Sequence, residues 1–257
     1  MGKKIRTGVL AGMIFCIILS AGCTPEKSSY IGTKAPSAKK CPGDIVFSDG
    51  SCTPYSSELS LTDEQKQSVV AVVFYRGRAC SNDGKKRTLA VGLHHYPNRC
   101  AWSLSKAEAS KLQVSPIVCT PVRNGKTVTF EGDVDGSDNF FQIASFLTET
   151  EACADDTQTR SLYPAFSFAL SYGSGTCFED GWYLPSVCEL YQLFQNKAVV
   201  EAASVLCGGD CFQDKWFWSS SQCGSSRLYA YDLNFLAGDW NENSKFYEEY
   251  VCVIREL

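Results

Sequence analysis

The chain opens with a hydrophobic block that belongs to no folded core. Lys3, Lys4 and Arg6 precede an apolar run over 9–19 (VLAGMIFCIIL), and Ser20, Ala21, Gly22 and Cys23 follow it. Positive charge, a short greasy stretch and small residues before a cut site make a secretory signal. A membrane-spanning helix needs about 20 apolar residues, so this run is too short for one. Residues 24–40 then carry Pro, Gly, Ser and Lys, with Tyr30 and Ile31 as the large apolar side chains. Such a stretch buries too little to fold, and it reads as a flexible linker.

Beyond residue 41 the pattern is that of a packed domain. Residues 69–75 (VVAVVFY) form a β-branched run ended by Arg76-Gly77-Arg78, which predicts a buried strand. A second strand is predicted over 88–93. Shorter ones, over 117–120 and 126–130, flank an Asn124-Gly125 turn. The acidic stretch 131–138 (EGDVDGSD) reads as a solvated turn capping a helix over 139–150, with Phe140, Ile143, Ala144 and Leu147 on one face. Another helix is predicted over 161–171. Ser186 and Glu189 make a capping box, in which hydroxyl and carboxylate each take a backbone amide proton. Leu190, Leu193 and Phe194 then carry that helix to about Val199. Strands are predicted over 215–221 (KWFWSSS), 229–235 (YAYDLNF) and 250–255 (YVCVIR). Val251, Val253 and Ile254 make the last one interior. Between the last two strands, 236–249 is polar and aromatic without a buried pattern. Strands outnumber helices, and the fold class expected is α+β.

Composition narrows the chemistry. A chain of 257 residues, less its leader and linker, suits one domain. Net charge is −4, with acids and bases interspersed and no basic stripe, so no nucleic-acid partner is expected. Setting aside Cys16 in the leader and Cys23 leaves 12 of the 14 cysteines, and in an exported chain these favour a disulfide framework. Local candidates are Cys41 with Cys52 and Cys207 with Cys211. Both histidines, His94 and His95, lie far from Cys207 and Cys211, which disfavours zinc. Asp133, Asp135 and Asp138 offer hard oxygens to calcium, but the glycine comes too early for an EF-hand loop and no glutamate closes it. Ser219, Ser220 and Ser221 lack a glycine elbow and a partnered histidine. No catalytic residue, metal or cofactor is expected.

Two resemblances add to this reading. The small residues before Cys23 resemble a lipobox, which implies a leader over 1–22, acylation of Cys23 and a lipidated linker over 23–40. Two or more acyl chains anchor a protein stably to a bilayer. Thr24 is not acidic, so no inner-membrane retention signal is evident, and the expected location is the cell envelope at the outer-membrane surface.

Gly181-Trp182-x-Leu184-Pro185-Ser186-x-x-Glu189-Leu190, Phe217-Trp218-Ser219-Ser220-Ser221 and Val251-Cys252-Val253-Ile254-Arg255 occur in that order. Together they resemble a bacterial family with the C-type lectin fold, in its branch related to formylglycine-generating enzymes. Within it the likeness is to the treponemal variable lipoproteins, whose C-terminal segment is rewritten by a diversity-generating retroelement. The resemblance covers roughly 60–257. It implies a domain over 41–257 with a small twisted antiparallel sheet, flanking helices, long loops and a variable segment within about 217–257. Binding residues of that family lie between the Trp-Ser-Ser strand and the final strand, here 222–249. Scaffold positions there are Ala230, Leu233, Phe235, Gly238 and Lys245. The binding positions are Cys223, Ser225, Arg227, Leu228, Tyr229, Tyr231, Asp232, Asn234, Asp239, Trp240, Asn241, Glu242, Asn243, Phe246, Tyr247, Glu248 and Glu249.

Rigid aromatics and short polar groups are what a binding face uses. The expectation is a monomeric surface protein, not an enzyme. It would hold an external ligand, itself a protein, through Tyr231, Trp240 and Tyr247. Two alternatives come from other classes. A formylglycine-type cysteine oxidase would draw on Cys207, Cys211, Cys223 and Cys252. A calcium-dependent sugar lectin would draw on Trp240-Asn241-Glu242, although its companion motif is absent.

Overall fold

A computed structural model describes residues 30–146 and 157–257. The leader, Cys23, the first part of the linker, Leu147 and Cys153 lie outside the described residues, as does the end of the helix predicted over 139–150. Along the chain, β1 (Asp44–Phe47) and β2 (Cys52–Pro54) form a hairpin, and the short helix α1 (Asp63–Ser68) leads into β3 (Val69–Gly77). β4 (Arg87–Gly92) and β5 (Cys100–Ala101) follow, then the hairpin of β6 (Cys119–Asn124) and β7 (Thr127–Gly132). The helices α2 (Asn139–Ser145), α3 (Thr157–Ser161) and α4 (Pro164–Ser171) come next. β8 (Trp182–Tyr183) precedes α5 (Val187–Gln195) and α6 (Lys197–Leu206). The chain closes with β9 (Trp216–Gln222), β10 (Tyr229–Asn234), β11 (Trp240–Ser244), β12 (Glu248–Glu249) and β13 (Ile254–Glu256).

The fold is α+β, with helices set against several antiparallel sheets. A six-stranded sheet runs β2-β1-β3-β4-β13-β8, and a three-stranded sheet runs β11-β10-β9. The unbroken hydrophobic run of β3 follows from burial on both faces. Val72 and Phe74 join one core cluster with Leu190, Leu193, Val200 and Ala203 of α5 and α6. Ala71 and Val73 join a second, with Phe140, Ile143 and Phe166 of α2 and α4. β13 is an interior strand between β4 and β8, but it begins only at Ile254, so Val251 and Val253 of the strand predicted over 250–255 are buried in the segment before it.

Several expectations are corrected. Residues 30–34 are not a free linker: the Ile31 amide donates to Asp49 Oδ2 at 2.7 Å and the Gly32 amide to Ser51 Oγ at 2.8 Å. Lys34 pairs with the buried Asp44 at 2.8 Å. Hydrogen bonds and one ion pair here replace the apolar area that the stretch lacks, and a Cβ at Gly32 would strike the Cys52 backbone. The helix read to Val199 is two helices, because Asn196 leaves helical geometry (φ −107°, ψ 10°) and α6 restarts behind it. The patternless stretch 236–249 contains β11, whose pairing to β10 is made by backbone groups. In this structure no disulfide joins any two of the eleven described cysteines, the local pairs Cys41–Cys52 and Cys207–Cys211 included. Cys52 turns into the second core cluster, and Cys211 Sγ lies 2.6 Å from Glu201 Oε1.

The capping box of α5 has a larger role than its spacing announces. Ser186 Oγ accepts from the Glu189 amide, and Glu189 Oε2 accepts from the Ser186 amide. Glu189 is also fully buried beside Arg87, whose guanidinium reaches Glu189 Oε1 (3.1 Å), Asp135 Oδ1 (2.6 Å), Glu256 Oε2 (2.9 Å) and the Tyr183 hydroxyl (2.9 Å). Asp135 is therefore an ion-pair partner. Asp133, 8 % exposed, accepts from Asn82, so the acidic turn is not fully solvated.

Candidate ligand-binding face

The segment 222–249 runs from the last residue of β9 through β10 and β11, which extend the sheet from β9, to β12, which pairs with β5. Buried aromatic hydrogen bonds lock this sheet to the rest of the domain. The Trp218 indole donates to the Cys100 carbonyl at 2.9 Å, and the Trp102 indole donates to the Ser219 carbonyl at 3.0 Å. Phe217, Leu233 and Phe235 enter one core cluster, while Trp218 and Ala230 enter the other. All five scaffold positions, Ala230, Leu233, Phe235, Gly238 and Lys245, are buried.

Lys245 anchors the segment from within. Its ammonium donates to the Ala109 carbonyl at 2.7 Å and lies 4.8 Å from the centre of the Trp102 ring. Burial pulls its pKa down to about 7. The Lys245 amide donates to the Leu228 carbonyl at 3.2 Å, and Tyr229 pairs with Ser244. The loop before β10 and the turn after β11 therefore meet at one end of the sheet. There Leu228, Tyr229, Phe246 and Tyr247 are all exposed, Tyr247 by 63 %. Ser225, Arg227 and Glu248 are exposed around them.

The remaining positions divide. Asn241 and Glu242 are exposed on the edge strand β11, and Asp239 on the turn before it. Asn234, Trp240, Asn243 and Glu249 are half-buried. The Arg123 guanidinium, from the β6–β7 hairpin, sits 4.8 Å from the Trp240 ring centre and bonds Asp239 at 3.0 Å. Trp240 therefore presents part of its surface to its own domain.

Three expected contact residues are not available to a partner. Cys223 (0 % exposed), Tyr231 (3 %) and Asp232 (1 %) are buried. Strand alternation turns Tyr231 into the core beside Leu233, and its hydroxyl reaches Glu242 Oε1 at 3.3 Å. Asp232 accepts from Asn243 Nδ2 at 2.9 Å, and burial raises its pKa to about 7. Exposed large apolar residues outside the expected set are Leu236, 66 % exposed at the far turn, and, away from the segment, Phe141, Phe146, Val205 and Leu257. Leu236 carries no pattern signal, since it simply follows a buried strand.

Of the cysteines drawn on by the enzymatic alternative, Cys207, Cys223 and Cys252 are buried in one core cluster, while Cys211 is half-buried with its Sγ 2.6 Å from Glu201 Oε1. Among the described residues no group of three or more His, Cys, Asp or Glu is placed to hold a metal ion, and no helix is long and apolar enough to cross a membrane.

Together these features define a mixed α+β domain whose C-terminal sheet carries an aromatic, acid-flanked exposed tip. No protein-family model matches the chain, and no curated protein is found similar to it. Its architecture is similar to the crystal structure of a fimbrial protein from Bacteroides ovatus ATCC 8483, with a TM-score of 0.56 at 13% sequence identity. The alignment covers 85% of this chain and 49% of that one, so the chain spans about half the length of this neighbour. At that identity the likeness concerns the fold alone.

Proposed function

We propose that this protein is a lipid-anchored, surface-displayed ligand-binding protein and not an enzyme. In this reading the domain is a C-type lectin scaffold, Cys23 carries the lipid at the outer-membrane surface, and the segment 222–249 is diversified in sequence. One observation carries it: Leu228, Tyr229, Phe246 and Tyr247 converge, exposed, on one tip held from beneath by the buried Lys245. Exposed aromatic and apolar side chains on a rigid frame are the usual anchors of a protein–protein contact. Asp239, Glu242 and Glu248 outnumber Arg227 on the exposed part of the segment, which favours a protein partner with a cationic patch.

The binding set is narrower than the sequence suggested. It keeps Ser225, Arg227, Leu228, Tyr229, Asp239, Asn241, Glu242, Phe246, Tyr247 and Glu248, leaves the half-buried Asn234, Trp240, Asn243 and Glu249 at its margin, and excludes Cys223, Tyr231 and Asp232. Sequencing the locus in clonal isolates tests this. Codon changes concentrated at the exposed positions, with Ala230, Leu233, Phe235, Gly238 and Lys245 constant, are expected. Changes scattered evenly over the domain would refute the diversified-face reading.

A further inference from the structure

The cysteines show a pairing that their spacing does not suggest. Cys80 lies in the loop between β3 and β4, and Cys188 in the first turn of α5. Their sulfurs are 3.8 Å apart, and the residues are 0 % and 1 % exposed. The surroundings hold both sides of this contact in place. Arg87 donates to the Cys80 carbonyl at 2.8 Å while bonding Glu189, the residue after Cys188. The Ala79 amide donates to the Tyr75 hydroxyl at 2.7 Å, and Asn82 bonds Asp133 and the Val134 amide. Apart from the Cys188 thiol, which donates to the Ala79 carbonyl at 3.5 Å, the loop and the helix are positioned by interactions that do not depend on either sulfur.

Buried thiols often pack merely as small hydrophobes. Here two of them are aimed at each other across 108 positions of sequence. A disulfide requires about 2.05 Å between sulfurs, so closing this gap asks each side chain to move by about 1 Å. That is within the reach of a χ1 adjustment with a small backbone shift.

We propose that Cys80 and Cys188 form a disulfide as the chain folds in the presence of a disulfide oxidant, clamping the β3–β4 loop to the start of α5. The chemistry is thiol–disulfide exchange with an oxidant of the disulfide class, such as oxidised glutathione or an exchange protein of the export compartment. One cysteine thiolate attacks the oxidant's S–S bond and expels one oxidant thiolate. The second cysteine thiolate then attacks the protein-bound sulfur and expels the other. One S–S bond forms in the protein and one breaks in the oxidant, while two electrons and two protons pass to the oxidant's two thiols. Because both sulfurs are buried in the finished fold, the exchange occurs before packing completes. The oxidising compartment rests on the exported reading, whereas the pairing rests on geometry, so an in vitro test separates the two.

The full chain is reduced, unfolded, and refolded in a mixture of oxidised and reduced glutathione. Samples are quenched in acid, alkylated in denaturant, digested without reductant and analysed by mass spectrometry. The expected product is a peptide pair linking Cys80 to Cys188 that separates on adding dithiothreitol. The oxidised protein should lose on the order of 10 °C in Tm when reduced, a response absent from the Cys80→Ser/Cys188→Ser double variant. Recovery of both residues as alkylated free thiols would overturn the proposal. So would linkage of either to another cysteine, such as the nearby Cys119.

Discussion

The ammonium of Lys245 lies 2.7 Å from the carbonyl oxygen of Ala109, in a side chain with no solvent exposure. The next two residues, Phe246 and Tyr247, are exposed by 39 % and 63 %. A buried lysine thus marks the boundary between the part of the segment that holds and the part that is offered to solvent. Replacing it with alanine leaves the Ala109 carbonyl unpaired and opens a cavity beside Trp102. Lys245→Ala should cost about 2–4 kcal/mol in urea unfolding. Because burial lowers its folded pKa to about 7 from 10.5, the unfolded chain binds the extra proton between those values. Stability should therefore rise with pH across 7–10.5, by at most about 1.4 kcal/mol per unit, and the slope should be absent in Lys245→Met.

Tyr231 and Tyr247 should behave oppositely. Tyr231→Ala removes a ring from the core and should destabilise the domain by roughly 3–5 kcal/mol. Tyr247→Ala should stay within about 0.5 kcal/mol of the parent in thermal unfolding. A loss of ligand capture in Tyr229→Ala/Tyr247→Ala, at unchanged Tm, would then report contact and not folding.

His95 supplies a pH dependence of the opposite range. It is buried between Phe212 and Phe217, with ring centroids at 4.6 and 4.8 Å, and neither ring nitrogen has a hydrogen-bond partner among the described residues. Burial, aided by the charge of Lys215, lowers its pKa to about 3. The unfolded chain takes up this proton near pH 6.5 and the folded one does not. The His95 contribution to stability is lost as pH falls from about 6.5 toward 3. The stability difference between the parent and His95→Phe should shift in favour of the variant across that window, by about 1.4 kcal/mol per unit well below pH 6.5. A pH-independent difference would remove this assignment.

Arg87 neutralises two inward carboxylates, the buried Glu189 and the half-buried Asp135. Removing it in Arg87→Ala strands Glu189 and leaves Asp135 without its cation, and the cost should be about 3–5 kcal/mol. Guanidinium chloride unfolding checks this. Glu256→Ala, which removes a half-exposed partner of the same arginine, should cost less than about 1 kcal/mol.

How much of this was legible beforehand follows from the kind of signal each element carries. β3 was readable because an unbroken β-branched run has few other uses, and α5 because Ser186 and Glu189 satisfy their own backbone amides locally. β11 was not readable: an edge strand pairs through backbone groups, and Trp240–Ser244 bears no period of buried residues. The docking of residues 30–34 was equally silent, since it depends on Asp44, Asp49 and Ser51, which the linker cannot announce.

The candidate segment 222–249 divides along the same line. Its candidate side chains and its five scaffold positions were what the family resemblance implied. Strand alternation and the register of β10 against β9 and β11 decided which of them face water. Tyr229 and Tyr231 have the same chemistry and stand two apart, yet one is exposed and the other lies in the core. The bulge in register between Ala230 and Asp232 and the covering of the sheet by α5 set that difference, and no short stretch of sequence encodes either. Local chemistry determined the elements and the anchors of the chain; the packing of one sheet against two cores decided what remains free to touch a partner.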